Sequence, residues 1–192
     1  MNEPKREEET IFPEAEIVFA KFWPRLGAYL LDGMIVTVVT LPIAYLNVTS
    51  WKLTALFIFT SILELSYKPF MEYQFGATLG KMAAGIQVVG RQFEKVSLSE
   101  EIKRVSFYLF PGALQALFAL RIYFKTEFGS ITRFNEYNQY VLEMNPAAVW
   151  LVVIVFILFI ADLIVFLSNE NHRSLHDLYA GTYVIEKLKA TI

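Results

Sequence analysis

The sequence predicts an all-α integral membrane bundle of four transmembrane helices, with short strand and helix elements on the cytoplasmic side. Two observations carry this prediction. Hydrophobic residues make up 55% of the 192 positions, and they fall in blocks long enough to cross a bilayer rather than at the spacing of a soluble helix or strand. The blocks cover residues 26–46, 51–67, 105–124 and 147–168.

The four blocks are of unequal quality as membrane spans. The block at 147–168 is apolar almost throughout, whereas 51–67 is short and 105–124 includes Pro111. The segment before the first block, residues 1–22, lacks the basic and then apolar regions of a signal peptide and is predicted to be an acidic cytoplasmic tail. Residues 23–192 are expected to form the membrane domain.

Composition excludes several classes of function. The formal net charge of −2 gives no reason to expect nucleic-acid binding, and the absence of cysteine removes disulfides, thiolate metal sites and cysteine nucleophiles. Because the sequence shows no nucleophile–base set and no metal cluster, we expect neither an enzyme nor a cofactor. The lipid bilayer is the first partner that the sequence implies.

The distribution of Lys and Arg predicts the orientation. With four spans and both termini in the cytoplasm, thirteen basic residues lie in inner segments and four in outer ones. Short cytoplasmic loops carry such an excess of positive charge. We therefore expect a multi-pass protein of the inner (plasma) membrane with cytoplasmic N and C termini.

An internal similarity divides the chain in two. Residues 78–89 read TLGKMAAGIQVV and residues 174–185 read SLHDLYAGTYVI, with four identities at an offset of 96 positions. Each copy follows a pair of predicted spans, which suggests a 2+2 parallel repeat; chance similarity between segments rich in small residues is the alternative. Both copies end in an alternating stretch, Ile86–Val89 and Thr182–Ile185, predicted to be neighbouring short strands. Ser97 and Glu100 have the spacing of a capping box that starts the third long helix.

Three acids lie inside the predicted spans. Asp32, Glu64 and Asp162 would all lie roughly 5–10 Å below the cytoplasmic interface. Because ionisable side chains in hydrocarbon are costly, the three are candidates for one ion or proton site. The alternative is a structural polar network that holds the bundle together. Glu64 also precedes Lys68 by one helical turn, a favourable arrangement for a purely structural pair.

Three motifs in order resemble the RDD family of bacterial membrane proteins. They are PRLGAYLLD with Arg25 and Asp32, the central segment TLGKMAAGIQVV, and RSLHDLYAGTYVI with Asp177. The resemblance covers roughly residues 24–104 and 171–186, while 105–146 is longer than is usual in the family. It implies that Arg25, Asp32 and Asp177 are the family's motif residues. It also implies a membrane protein for which transport, including sodium/proton exchange, has been suggested.

Two local pairs complete the candidate residues. Lys81 and Asp177 occupy equivalent places in the two similar segments. Asp177 is predicted either to cap a helix or to pair with Lys81, and a structural salt bridge is the favoured role. His172 and His176 have a spacing that can hold a metal, but no third ligand is evident, and interfacial packing is the favoured role.

Two functions remain open at the level of sequence. In the first, the protein exchanges a monovalent cation for protons, which the three acids bind alternately. In the second, it is a non-transporting membrane subunit that binds or regulates a partner protein. Four transmembrane helices are few to enclose a transport path. With either function, we therefore expect a homo-oligomer or a membrane protein partner.

Overall fold

The computed structural model describes residues 17–186, so that most of the predicted acidic tail, 1–22, lies outside the described residues. Four long helices dominate this part of the chain. The elements, in order, are α1 (Phe22–Leu46), α2 (Thr54–Phe75), α3 (Leu79–Ala83), β1 (Ile86–Val89), α4 (Leu98–Leu120), α5 (Phe134–Met144), α6 (Pro146–Ser168), α7 (Leu175–Ala180) and β2 (Tyr183–Glu186).

Three helical segments are long and apolar enough to cross a membrane. They are Phe22–Trp51, Leu98–Phe124 and Pro146–Ser168, with mean hydropathies of 1.8, 1.4 and 3.1. Their apolar side chains face outward, as Phe156 at 62% exposure on α6 illustrates. A soluble monomer rarely exposes such a continuous apolar surface, and lipid is the solvent that fits it. The chain is therefore a helical membrane protein.

The second predicted span is less apolar than the other three. Helix α2 has 22 residues, enough to cross a hydrocarbon core of about 30 Å. It does not reach the hydropathy of the other three because it carries Glu64, Lys68 and Glu72. The described residues therefore contain three helices with the length and hydropathy of spans rather than the predicted four.

The start of α4 confirms the predicted capping box. The backbone N–H of Ser97 donates to Glu100 Oε2 at 2.9 Å, and the backbone N–H of Glu100 donates to Ser97 Oγ at 3.3 Å. The helix then runs through Pro111 to Leu120, so it begins seven residues before the predicted span 105–124. This earlier start places the first two turns of α4 at the end of the bundle that carries the short helices and the strand pair.

The two predicted strands are neighbours. β1 pairs antiparallel with β2, with Val88 opposite Val184, and the second strand covers Tyr183–Glu186, one residue later than predicted. Residues 18–20 continue the pairing on the other edge of β2, where Ala20 N donates to Val184 O at 2.9 Å. Val88 and Val184 pack with Ala28 of α1 in a small buried cluster, which anchors the strand pair to the membrane helices.

The segment 121–146 is ordered and packs on the connection between α1 and α2. Ile122, Phe128 and Tyr137 form a buried cluster with Val48. Lys52 crosses this interface, and its Nζ donates to the carbonyl oxygens of Val48 and Ile131. The second half of the chain thus contacts the first at the end of the helices opposite the strand pair.

Candidate functional site

A cavity of about 440 Å³ lies among α1, α2, α4, α6 and the short helices α3 and α7. Aromatic and aliphatic side chains form most of its wall. The charged residues that line it are Arg25, Asp32, Lys68, Lys81, Arg104 and Asp162. Two of the three predicted membrane acids therefore open onto one cavity, as a shared site requires.

The carboxylate of Asp32 links three elements by hydrogen bonds. Its Oδ1 accepts hydrogen bonds from Tyr67 Oη of α2 at 2.8 Å and from the backbone N–H of Gly80 at 2.7 Å. Its Oδ2 accepts one from Thr78 Oγ1 at 2.5 Å. A carboxylate with three donors is well satisfied without a bound ion. The primary role of Asp32 is therefore to hold α1, α2 and α3 together.

Gly80 is required where α3 meets α1. A Cβ at this position would lie 2.1 Å from the carbonyl oxygen of Ala28 and 2.8 Å from Cγ of Asp32. Neither neighbour can move freely, because one is helix backbone and the other is bound on three sides. The absence of a side chain is what lets the Gly80 N–H reach Asp32.

Asp177, the second motif Asp, is buried at 0% exposure on α7. Its Oδ2 accepts a hydrogen bond from Arg25 Nη1 at 2.7 Å, and its Oδ1 lies 3.3 Å from Arg104 Nε. Burial acts to raise the pKa of Asp177, but Arg104, His176 and Arg25 outweigh it and hold the pKa well below its usual range. Asp177 is therefore ionised and joins α7 to α1 and α4.

Arg104 connects this pair to a second acid, Glu72. Its Nη1 lies 2.9 Å from Glu72 Oε2, and Lys81 Nζ donates to Glu72 Oε1 at 2.7 Å. Glu72 is 0% exposed and Arg104 3%. Burial and the nearby Arg104 lower the pKa of Lys81 to about 7, while Glu72 acts to raise it. Five charges of alternating sign thus run from α1 through α7, α4 and α2 to α3.

The predicted Lys81–Asp177 salt bridge is wrong. Lys81 pairs with Glu72, and Asp177 pairs with Arg25 and Arg104. The positions are equivalent in the sequence, but Arg104 inserts between the two halves and takes up both acids. Each acid therefore has two cationic partners, Glu72 with Lys81 and Arg104, and Asp177 with Arg104 and Arg25.

Asp162 of α6 pairs with His176 of α7. Its Oδ1 lies 2.9 Å from His176 Nδ1 and accepts a hydrogen bond from the His176 backbone N–H at 3.2 Å. Ser174 Oγ is 3.0 and 3.1 Å from the two imidazole nitrogens of His176. Asp162 and His176 form a hydrogen-bonded pair on the cavity wall.

The two histidines have separate partners. His172 packs its ring on Phe166, with the centroids 5.6 Å apart, while His176 contacts Asp162. This is the interfacial packing that the sequence favoured for His172. Arg25 also packs over Phe166, at 5.0 Å from the ring centroid, so that aromatic contact and ion pairing together position it.

Glu64 does not belong to the site. It lies on the exposed face of α2 and does not line the cavity, so the prediction that all three acids share one interior is wrong for this residue. The prediction for Glu64 rested on its depth in the span, and depth does not fix the direction of a side chain around the helix. Glu64 and Lys68 also form no ion pair within the described residues, since Lys68 Nζ lies 4.7 Å above the ring of Tyr108.

The residues at the centre of the network, Glu72 and Arg104, were not among the predicted site residues. Both lie outside the predicted spans 51–67 and 105–124, and Arg104 was expected only to lie on the helix that the Ser97 capping box begins. Glu101, one turn before Arg104, is also buried, and neither of its carboxylate oxygens has a hydrogen-bond partner in the described part of the chain. The sequence feature that could have identified them is the continuation of both helices beyond their apolar blocks. For α4, the capping box at Ser97 already marked a start before the predicted span.

Two comparisons with known proteins match most of the chain. The sequence profile of the RDD family matches residues 19–181. The chain is 32% identical over 166 residues to the uncharacterized protein YckC of Bacillus subtilis (strain 168), an alignment that covers 86% of this chain and 83% of that protein. No solved structure matches the chain. The three motif residues, Arg25, Asp32 and Asp177, all lie at contacts between helices around the cavity. The chain belongs to the RDD family.

Proposed function

We propose that this protein exchanges protons for a monovalent cation across the bacterial inner membrane, with Asp162 and His176 as the proton-carrying pair. The observation that carries the proposal is the shared cavity, onto which Asp162 of α6 and Asp32 of α1 both open. A carboxylate can hold either a proton or a cation, and intramembrane acids facing a cavity mark such pathways. Asp162 suits this role better than Asp32, because its side chain has one polar partner residue, His176, instead of three.

The proposal includes four spans with both termini in the cytoplasm. Helix α2 is the fourth span, and Glu72 at its inner end is shielded by Arg104 and Lys81. The order of two long helices, a short helix and a strand occurs twice, as α1–α2–α3–β1 and α4–α6–α7–β2, with α5 inserted in the second set. This order supports a 2+2 parallel repeat. Because four helices enclose little more than one cavity, the proposal includes a homo-oligomer or a membrane protein partner that completes the transport path.

Ion flux from liposomes tests the exchange. The purified protein is reconstituted with a trapped pH-sensitive dye, and sodium or potassium is added under an imposed proton gradient. The wild type should collapse the gradient, and Asp162→Asn and His176→Gln should lower the rate to that of protein-free liposomes, since neither replacement can bind a proton. Glu64→Gln is the matched control, because it removes an intramembrane acid outside the cavity.

A second function, that of a non-transporting subunit, is supported by the network of five alternating charges. Such a network can hold a bundle together without moving any ion. Under this function the wild type gives no flux with either cation. Asp162→Asn and Asp32→Asn would then change only the thermal stability of the protein in detergent. Absence of flux in a wild type that is folded and correctly inserted would overturn the exchange.

A further inference from the structure

Three donor atoms on the cavity wall, Arg25 Nη2, Tyr108 Oη and Lys68 Nζ, make no hydrogen bond to a carboxylate among residues 17–186. Arg25 donates hydrogen bonds from Nη1 to Asp177 and from Nε to the carbonyl oxygen of Ala20. Its buried Nη2 makes no hydrogen bond. Tyr108 Oη is buried and also unpartnered. Lys68 Nζ packs over the Tyr108 ring and pairs with no carboxylate. Buried donors without partners are rare in folded proteins, so the two buried atoms, Arg25 Nη2 and Tyr108 Oη, beside the partly buried Lys68 on one cavity indicate a ligand with acceptor oxygens.

The acids of the cavity do not satisfy these donors. Asp32 is bound to Tyr67, Thr78 and Gly80, and Asp162 is bound to His176. Arg104 and Lys81 face the cavity but are neutralised by Glu72 and Asp177 behind them. Glu101 has two carboxylate oxygens without hydrogen bonds, but it does not line the cavity. Among the lining residues, the side chains left with unused hydrogen-bonding capacity are therefore cationic or hydroxyl, and the ligand that complements them is an anion.

The remainder of the wall is apolar and defines the body of this ligand. Side chains of α1 and α6, including Leu26, Val36, Phe159 and Leu163, line the cavity beside the donors. A small hydrophilic anion would leave this surface without a partner. A lipid places an anionic head group and acyl chains side by side, and basic pockets between membrane helices on the cytoplasmic side suit such head groups.

We propose that the cavity binds the head group of an anionic phospholipid of the cytoplasmic leaflet. Arg25 Nη2, Lys68 Nζ and Tyr108 Oη hold the phosphate oxygens, and the acyl chains lie against α1 and α6. The site lies between the two halves of the chain, so the bound lipid bridges α1, α2 and α4. This binding does not require the proposed ion exchange and is measured without any ion gradient.

Lipid-dependent thermal stability tests the proposal. The protein in neutral detergent is heated with phosphatidylglycerol, with phosphatidylcholine of the same acyl chains, or with glycerol phosphate. Phosphatidylglycerol should raise the unfolding midpoint and remain bound in native mass spectrometry, while the other two should do neither. Equal shifts with both phospholipids would overturn the anionic site, and an equal shift with glycerol phosphate would overturn the lipid as its occupant.

Variants locate the site. Lys68→Met and Tyr108→Phe should each abolish most of the shift produced by phosphatidylglycerol, while the midpoint without lipid shows that the variant is folded. Lys103→Met is the matched control, because Lys103 is exposed on α4 and does not line the cavity. If Tyr108→Phe and Lys68→Met keep the full shift, or if Lys103→Met loses as much of it as they do, the cavity is not where the lipid binds.

Discussion

Val88 and Val184, 96 positions apart in the chain, face each other directly in the antiparallel strand pair. They are also equivalent residues in the two similar segments. The neighbours pair symmetrically about them, Gln87 with Ile185 and Val89 with Tyr183. A local twofold axis through the strand pair gives this register, so the pairing supports the proposed repeat.

Cysteine substitution tests this register. The backbone N–H of Val88 donates to Gly76 O, and Val184 O accepts from Ala20 N, so these two residues form a pair without hydrogen bonds between them. Such pairs bring the Cα atoms to about 4.5 Å, within the range of a disulfide. Because the chain has no cysteine, Val88→Cys with Val184→Cys should cross-link on mild oxidation, as seen by electrophoretic mobility.

The control for this cross-link is Gln87→Cys with Val184→Cys, whose side chains point to opposite faces of the strand pair. It should stay reduced under the same oxidant. Equal cross-linking of both combinations would contradict the register.

Reporter fusions test the topology. Basic residues in the inner segments outnumber those in the outer ones by thirteen to four, which favours cytoplasmic termini. The reporter is an enzyme that is active only outside the cytoplasm. Fused after residue 135 it should be active, and fused after residue 192 it should be inactive. A result that puts both fusions on one side would contradict α6 as a span in the proposed orientation.

Gly80→Ala should destabilise the protein. The added methyl group collides with the Ala28 carbonyl and with Asp32, and overpacking of this kind costs about 1–3 kcal/mol. The midpoint of thermal unfolding in detergent provides the measurement. Gly27→Ala is the matched control, since a Cβ there meets nothing within 4 Å and Ala favours a helix over Gly by about 0.5–1 kcal/mol. A Gly80→Ala protein as stable as Gly27→Ala would contradict the close approach of α3 to α1.

Asp177 should make the stability depend on acid pH. Its pKa in the folded protein is held well below its usual range, so its contribution to stability is complete above the unfolded value of about 3.9 and is lost as the pH falls below that. Asp177→Asn should cost about 3–5 kcal/mol at neutral pH, because Arg25 loses its counter-charge and Arg104 keeps only that of Glu72. Thermal unfolding measured between neutral pH and pH 3 should show a smaller decline in this variant.

Glu143→Gln is the control for the acid series, because Glu143 is an exposed carboxylate on α5. This variant should follow the wild type at every pH. A wild type and an Asp177→Asn protein with parallel pH profiles would show that the buried ion pairs do not titrate as the structure requires.

The sequence by itself determined the membrane class, the family and the pairing of the two strands. Long apolar blocks require a lipid environment, which identifies a membrane protein. The motifs with Arg25, Asp32 and Asp177 are short sequence patterns that can be recognised without a structure. The capping box at Ser97 was also predictable, because its two partners are three residues apart and their contact is fixed by helix geometry.

Only the tertiary structure decided which charges meet. Glu72 contacts Arg104, which lies 32 positions further along the chain, and Arg25 contacts Asp177 across 152 positions. Such pairings depend on the rotation of each helix about its axis, which packing against the other helices sets and which depth in the membrane does not reveal. Asp32 and Asp162 share a cavity and Glu64, at a similar depth, does not, because α2 turns that side chain away from the bundle.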